Sequence, residues 1–561
     1  VGPGTALQIV VGGEAGQGLV TIGQLLAKVL VRCGYAIVVT QDYQSRIRGG
    51  HNSFRVRTAP GVLEAPQEAI DLLVALDPLT VALHGGELSE RGLVLLDRRW
   101  TGPEGRCLPI PYQELAEERH WNTTALGIVL ALLGLPEQQA ARAVMDFFGP
   151  KKPQAAEANR QALEKAFSWT RDQHPSFSPL APPGAEGPPR LLLNGNEAVA
   201  LGALAGGLKF FAFYPMSPST SIGLTLAGQA SSLGIIVEQA EDEIAVINMA
   251  LGASFAGATS MVATSGGGLA LMTEGVSLAG MTETPLVIVV CQRPGPATGL
   301  PTRTEQGDLD LVLHAGHGEF PRAVFAPGSV EDCFHLTRRA LETAERSQGP
   351  VFLLTDQFLA DSYRGVVPFD LSPPSRRPDR TEIAPGAYLR YALTEDGVSP
   401  RLFPGTTNAL VVADSDEHTE DGHLTEDLTV RKKMVEKRLK KLELLLDRVI
   451  PPESTGPDRP GLLLVTWGSS RGAVLEAAEI LRSRGRSAGV LHFSQVWPLR
   501  PDQFSAQLAA AGEVVTIESN AFGQFARLLR RETGFQVSRQ IRRYDGWPIT
   551  PEYILRELER S

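Results

Sequence analysis

Four short clusters between residues 214 and 306 hold the side chains whose types and spacing suit chemistry. They are Tyr214-Pro-Met-Ser-Pro-Ser-Thr-Ser, Glu238-Gln-Ala-Glu-Asp-Glu, Thr264-Ser-Gly-Gly-Gly and Gly299-Leu-Pro-Thr-Arg-Thr-Glu-Gln. Each follows an apolar, strand-like run, which is how an open parallel sheet presents the carboxyl ends of its strands to a ligand. The clusters bring a carboxylate (Glu241), hydroxyls (Ser217 and Thr220), flexible glycines and a guanidinium (Arg303). That set suits an anionic substrate and a cofactor that needs a proton moved. Each member also has a plainer use. Glu241, like Asp242 or Glu243, can stabilise the start of the apolar helix Ile244–Ala256. Ser217 and Thr220 can cap a helix beginning near Ser221, and Arg303 can sit in a structural ion pair. Gathered on one sheet edge, they favour a shared site over three separate structural roles.

The elements that must position these groups read as α/β throughout. The middle block, residues 191–372, alternates helices with strands Phe210–Phe213, Ile235–Glu238, Met261–Thr264 and Leu286–Cys291. The last block, 461–561, repeats the pattern with Gly461–Val465, Ser487–His492 and Glu513–Glu518. The first block, 1–173, opens with strand Leu7–Val11, then Gly12-Gly-Glu-Ala-Gly-Gln-Gly18, helix Leu19–Cys33 and strand Ala36–Thr40. Nearly continuous apolar strands separated by helices predict three parallel-sheet domains. A Pro- and Gly-rich linker, 174–190, separates the first from the second. A connector, 373–460, separates the second from the third. It carries a charged helix, Leu428–Val449, whose Met434, Val435, Leu439, Leu442, Leu445 and Leu446 form an apolar stripe expected to pack on its neighbours.

The glycine loop between strand and helix is a second candidate site, because its backbone amides and the helix start can meet an anion. The order GxGxxG is absent and no Lys-Ser/Thr follows. A dinucleotide with Asp42 as its ribose acid, a plain tight turn, and another phosphate-bearing ligand all stay open. Arg46-Ile-Arg48-Gly-Gly-His-Asn52 follows the second strand as a cationic hairpin suited to anion recognition. A solvated surface turn is its alternative.

Composition narrows the class. Across 561 residues the formal charge is −10, from 53 basic and 63 acidic side chains, so nucleic acid is a poor partner. The four cysteines, Cys33, Cys107, Cys291 and Cys333, form no CxxC and supply no metal or cluster spacing. The apolar run Ala125–Leu135 is far below the ~20 residues of a membrane helix. A cytoplasmic protein with reduced thiols, and no membrane partner, is the expectation.

The motifs resemble one family, the 2-oxoacid:ferredoxin oxidoreductases, and within it an alpha subunit with a gamma domain fused ahead of it. The run YPMSPST resembles the family's Tyr-Pro-Ile-Thr-Pro-Ser-Thr. QAEDEIAVINMALGASFAG, ATSGGGLALMTEGVSLAGMTETPLVI and TGLPTRTEQGDL resemble the alpha pattern. GGEAGQG and RIRGGHNSFRVR are similar to gamma signatures. Gly468-Ser-Ser, Pro498-Leu-Arg and Glu518-Ser-Asn-Ala-Phe-Gly-Gln resemble a transketolase-type C-terminal domain. The 2-oxoglutarate type is nearest.

The resemblance implies CoA-dependent oxidative decarboxylation of a 2-oxoacid, here 2-oxoglutarate to succinyl-CoA and CO₂, with electrons to ferredoxin and the CO₂-fixing reverse reaction open. It implies thiamine diphosphate in a pyrimidine-binding domain over 191–372, with Glu241 on the aminopyrimidine ring. Ser217, Thr220 and Arg303 would then meet the oxoacid, with Arg303 on its carboxylate. Arg48 would meet a distal carboxylate or incoming coenzyme A. Gly13, Gly16, Gln17, Gly18, Arg46, Arg48, Gly49, Gly50 and His51 are candidates for coenzyme A. No GDG…N element and no cysteine cluster occurs. A beta subunit is therefore expected to bring Mg²⁺, the diphosphate grip and a 4Fe–4S cluster, in a dimer of alpha–beta heterodimers. Pyruvate or a broad range of oxoacids stays open as substrate. A non-redox transketolase-like half-enzyme and a binding module without chemistry are the rival functions.

Overall fold

The computed structural model describes residues 6–44, 50–150, 152–173, 177–183, 188–372, 388–406 and 408–560. The chain divides into two compact units. One comprises Val1–Asn194, Asp361–Phe369 and Thr550–Arg556; the other comprises Gly195–Ala360, Asp370–Ile549 and Glu557–Ser561. The described residues of the stretch 373–460 thus lie within the second unit.

In the first unit six strands form one sheet, in the spatial order Ala36–Asp42, His51–Ala59, Leu7–Glu14, Ile70–Ala75, Leu88–Asp97 and Cys107–Ile110. The last four are mutually parallel. His51–Ala59 runs antiparallel to both its neighbours, so this sheet is mixed where the apolar runs predicted a parallel one. The connection from Asp42 to His51 is long enough for a hairpin but too short for the crossover a parallel pair needs. Both faces are apolar: Ile9 and Val11 of the central strand pack with Ile22, Leu26 and Val129, while Val10 packs with Leu73 and Val94 on the other side. The apolar run near residue 125 is the buried helix Trp121–Leu132. Among the described residues no helix is long and apolar enough to cross a membrane.

In the second unit seven strands lie in the order Gln495–Trp497, Ala323–Phe325, Pro350–Asp356, Leu286–Gln292, Ser260–Thr264, Phe210–Phe213 and Ile236–Gln239. All are parallel except the first, which comes from the last block of sequence and pairs antiparallel with Ala323–Phe325. A five-stranded sheet follows, in the order Glu453–Thr455, Ala488–Phe493, Leu462–Trp467, Glu513–Glu518 and Arg539–Arg542, parallel except for its first strand.

The charged helix runs Leu428–Leu446, and its apolar stripe is largely turned inward: Met434 and Leu445 are buried, Val435, Leu442 and Leu446 are half-buried, and Leu439 is exposed. The helix also buries three cations, Lys437, Arg438 and Lys441. The reason is Glu283, a fully buried carboxylate that ends the turn before strand Leu286–Gln292. Lys437 Nζ and Lys441 Nζ each lie 2.5 Å from one of its oxygens. Arg390 donates to the Glu283 carbonyl at 2.8 Å and to Gln348 Oε1 at 3.0 Å, and Lys441 also donates to the Gln348 carbonyl. Burial alone pushes the Glu283 carboxyl up. The charges of Lys441, Lys437 and Arg390 outweigh that and hold it below the ordinary value, near 2.

Removing one partner from such a cluster leaves buried charge uncompensated, which costs about 3–5 kcal/mol. Glu283→Gln is therefore expected to lower unfolding stability by that amount in denaturant titrations. Because the folded value is depressed, Glu283 contributes fully above its ordinary 4.5, and the contribution is lost as pH falls toward 2. The difference between wild type and variant should shrink over that acid window; a constant difference would contradict the assignment.

Candidate functional site

The carboxyl ends of strands Phe210–Phe213, Ile236–Gln239, Ser260–Thr264 and Leu286–Gln292 share one edge of the seven-stranded sheet. After the first strand, the turn 214–219 is fixed by its own hydrogen bonds. Ser219 Oγ donates to the Met216 carbonyl, and Asn196 Nδ2 donates to the Pro218 carbonyl and to Ser221 Oγ, each at 2.8 Å. Ser217 is exposed, and half-buried Thr220 begins helix Thr220–Ala227. No side-chain bond caps that helix, so the capping role open to Ser217 and Thr220 is not used.

After the second strand the acids separate by role. Asp242 caps helix Glu243–Phe255, accepting from the Ala245 amide at 2.7 Å. Glu241 precedes the cap and is exposed. The carboxylate that this chain buries by itself is Glu243, 3% exposed, in the first turn. A one-residue cap between them reverses which acid faces the sheet. A signal for Glu243 was present in the sequence: it is in helical phase with the buried Val246, Ile247, Ala250 and Leu251.

Glu243 Oε1 is buried and has no hydrogen-bond partner. It rests over Gly268, where an added Cβ would lie 2.6 Å from it and collide with Thr264 Oγ1. Gly266 opens the same helix and leaves room for the Asp308 carboxylate, whose Oδ2 is likewise buried and unpartnered. Other buried carboxylates of this unit are satisfied. Glu518 accepts from Asn520 Nδ2 and from the amides of Phe525 and Ala526. Asp356 accepts from Ser469 Oγ and the Leu359 amide. Leaving a buried acceptor unpaired costs about 1–3 kcal/mol. Two such acceptors at one sheet edge mark the place where a ligand is to supply donors.

The guanidinium beside Ser217 is that of Arg293, which donates to the Ser217 carbonyl at 2.7 Å. Arg303 is ten residues on, past the reversal at Gly299 (φ 53°), and its guanidinium stacks 4.7 Å from the Trp547 ring. The arginine brought to Ser217 is therefore Arg293 rather than Arg303. Burial draws the Arg293 guanidinium down, with Asp308 opposing. Burial raises Asp308 to about 6 against the pull of Arg293. Burial, then the Asp308 charge, raises Glu305 to about 7. The loop is held from below by Gln306, which donates to the Trp467 carbonyl at 3.0 Å and accepts from Ser470 Oγ and the Ser519 amide.

The first unit gathers the second candidate set. Gly13 pairs with Asn52 and Glu14 with His51, and the Ala15 amide donates to the Gly50 carbonyl at 3.3 Å. The glycine loop and the start of strand His51–Ala59 are thus adjacent. Gly16 (φ 104°) and Gly18 (φ 78°) adopt left-handed conformations, and Gly18 precedes helix Leu19–Arg32 with no side-chain cap. Gln17 turns its amide to the loop itself: Oε1 accepts from the Glu14 amide at 2.9 Å and Nε2 donates to the Leu76 carbonyl. Arg46, Arg48 and Gly49 lie outside the described residues. Among the described residues, no group of three or more His, Cys, Asp or Glu is placed to hold a metal ion.

Comparison with known proteins identifies the family. The family description "Pyruvate ferredoxin/flavodoxin oxidoreductase" fits residues 8–169. Its thiamine diphosphate-binding counterpart fits 201–437, and a transketolase C-terminal domain fits 456–553. The 2-oxoacid:ferredoxin oxidoreductase subunit alpha of a Sulfolobus species is 31% identical over 99% of this chain and 96% of its own length. The chain belongs to the 2-oxoacid:ferredoxin oxidoreductase family. It is an alpha subunit with the gamma-like domain fused ahead of the thiamine-binding one, in a family of oxidoreductases that use ferredoxin as acceptor. The 2-oxoglutarate oxidoreductase subunit KorA of Mycobacterium tuberculosis is 29% identical over 92% of this chain and 86% of its own. The solved 2-oxoglutarate:ferredoxin oxidoreductase of Magnetococcus marinus, with 2-oxoglutarate, coenzyme A and succinyl-CoA bound, is 33% identical. It covers 99% of each chain with a TM-score of 0.93.

Gly268→Ala tests whether the space over that glycine sets Glu243. The added methyl is expected to displace Glu243 and Thr264 at an overpacking cost of about 1–3 kcal/mol. Turnover with the partner subunit should fall at least tenfold while the unfolding transition stays cooperative. Unchanged turnover would show that the position of Glu243 is not critical.

Proposed function

We propose that the chain is the alpha subunit of a CoA-dependent 2-oxoglutarate:ferredoxin oxidoreductase, converting 2-oxoglutarate to succinyl-CoA and CO₂. The observation that carries this reading is the buried, unpartnered Glu243 oxygen at the carboxyl edge of the sheet. The substrate choice is supported by the 2-oxoglutarate enzymes among the relatives, in Magnetococcus marinus and Mycobacterium tuberculosis. Pyruvate and a broad oxoacid range are the alternatives.

Thiamine diphosphate fits the residues present, since a buried carboxyl group without a partner can share a proton with a ring nitrogen of an aminopyrimidine. When bound, the cofactor supplies the carbanion chemistry of decarboxylation. The chain's own contribution is to hold a proton at Glu243, toward the ring, in place of the exposed Glu241. Arg293 takes the oxoacid carboxylate through its directional donors, with the Ser217 turn fixing its position. Thr220 stands at the same turn, and Arg303 braces the loop against Trp547. In the first unit, the Gly13–Gly18 loop and Gly50–His51 receive coenzyme A, with amides free at the helix start. Gln17 shapes that loop, and Arg46, Arg48 and Gly49 are further candidates for the same ligand on their sequence alone.

A beta subunit holding Mg²⁺ and a 4Fe–4S cluster completes the enzyme, and a dimer of alpha–beta pairs in the cytoplasm is the expected assembly. Helices Glu243–Phe255 and Gly266–Met281 support a partner here. Both are apolar around most of their circumference, yet Ile244, Met249 and Leu271 are about half exposed. The sequence itself carries no GDG…N element and no cysteine cluster.

In the reconstituted complex, Glu243→Gln is expected to reduce kcat about 100-fold or more, the scale of a lost proton-transfer group. Glu241→Gln should change it less than threefold, roughly the scale of an ordinary surface substitution. The reverse ranking would overturn the assignment. Arg293→Ala should raise the KM for 2-oxoglutarate well above the effect of Arg303→Ala. The pH dependence has a defined sign. As pH rises through about 6, Asp308 ionises beside Arg293, and through about 7 Glu305 ionises near Asp308. The added negative charge weakens oxoacid binding, so KM should rise across that window and Asp308→Asn should flatten its lower half. A KM that falls there would contradict the reading.

A further inference from the structure

The loop that leaves strand Leu286–Gln292 and ends at helix Leu309–His314 carries Arg293, Arg303, Glu305 and Asp308. Its second half is bonded along its length to the last block of sequence. The Thr304 amide donates to the Gly546 carbonyl at 3.2 Å, and the Gln306 amide to the Ser519 carbonyl at 2.6 Å. Asn520 Nδ2 donates to the Gln306 carbonyl and Gln524 Nε2 to the Gly307 carbonyl. Gln524 Oε1 then accepts from the Asp310 amide. At Arg303 the hold is through the side chain, whose guanidinium lies over the Trp547 ring.

Trp547 is itself fixed. It follows Gly546, in the left-handed region at φ 86°. Asp545 Oδ1 accepts from the Trp547 amide at 3.0 Å. Arg543 spans the turn, donating from Nε to Asp545 at 3.0 Å and from Nη1 to the Pro548 carbonyl at 2.9 Å. The Arg543 amide donates to the Glu518 carbonyl, and its carbonyl accepts from Ser519 Oγ, which ties the turn to the end of strand Glu513–Glu518. A Cβ on Gly546 would lie 3.1 Å from Arg303 Cβ, so the glycine lets the arginine stem pass close to the turn. An unrestrained arginine samples many rotamers. Stacking on an aromatic face fixes the plane of the guanidinium and directs its N–H groups edgewise.

We propose that Trp547 is a positioning residue for the oxoacid, acting through Arg303. The ring holds Arg303 flat, and Arg303 keeps the loop that carries Asp308 in place near Arg293. The transketolase-type C-terminal domain thereby serves the substrate loop of the domain before it. The inference rests on the reading that Arg293 takes the oxoacid carboxylate. In this role Trp547 acts on binding alone and takes no part in making or breaking bonds.

The test uses the complex reconstituted with its beta subunit. It reads kcat, KM for coenzyme A, and KM for the oxoacid turned over, which is 2-oxoglutarate on the reading above. Trp547→Ala is expected to raise the oxoacid KM about tenfold, the scale of a lost stack with a misplaced binding group. The interaction is made equally before and during the reaction, so kcat should change less than about twofold. KM for coenzyme A should stay unchanged. Trp547→Phe keeps an aromatic face and should hold the oxoacid KM within about threefold of wild type, whereas Trp547→Leu should not. In an Arg303→Ala background, Trp547→Ala should add less than about twofold, because the two residues act as one unit. An unchanged KM in Trp547→Ala, an equal effect in both backgrounds, or rescue by leucine as good as by phenylalanine overturns the inference. A parallel loss of kcat and of affinity for both substrates also overturns it, by marking a general structural defect. Arg293→Ala separates the two levels of the argument. If it leaves the oxoacid KM unchanged, the reading of the oxoacid site fails and the inference with it. If it raises that KM while Trp547→Ala does not, the inference alone fails.

Discussion

The buried carboxyl oxygen of Glu243 is the constraint around which the second unit is organised. A fold of this size satisfies its buried acids by several routes: two lysines at Glu283, three donors at Glu518, a serine and an amide at Asp356. At Glu243 it does not. The neighbouring features keep that deficit in place. Asp242 takes the capping role, so Glu243 is free of it. Gly268 gives the oxygen room, and the apolar helix face holds the side chain inward. An unsatisfied acceptor retained at such a cost is intelligible when a ligand brings the donor. The reading of the chain as the thiamine-binding half of a shared site follows from this one deficit.

At the sheet edge of the second unit, burial raises Asp308 to about 6 and Glu305 to about 7, so both carboxyls titrate close to neutrality where ordinary acids would be fully charged. The Asp308 charge opposes the burial that draws the Arg293 guanidinium down, so the charge facing that arginine changes with pH around neutrality.

Much of the fold was legible because apolar runs report burial directly. Strands Phe210–Phe213 and Glu513–Glu518 stand where their sequences place them, and the glycine loop joins its strand to its helix as expected. The antiparallel strand His51–Ala59 was not legible from hydropathy, since a strand buried on both faces reads alike in either direction. The burial of Lys437 and Lys441 on helix Leu428–Leu446 was missed because their partner, Glu283, is remote in sequence. A lysine buried by a distant carboxylate looks like a solvated one. In the site, the clusters and the sheet edge were legible, but which of Glu241, Asp242 and Glu243 is buried turned on a cap one residue wide. The bond from Arg293 to the Ser217 carbonyl was not legible, because it joins residues far apart in sequence and no motif marks it.

The account depends most on Glu243 being the acid that meets the cofactor. Infrared difference spectroscopy on the reconstituted complex, recorded on adding thiamine diphosphate with Mg²⁺, reads that contact without turnover. A carboxyl band shift present in wild type and in Glu241→Gln, and absent in Glu243→Gln, is the result the account predicts. A shift that survives in Glu243→Gln and disappears in Glu241→Gln would contradict it.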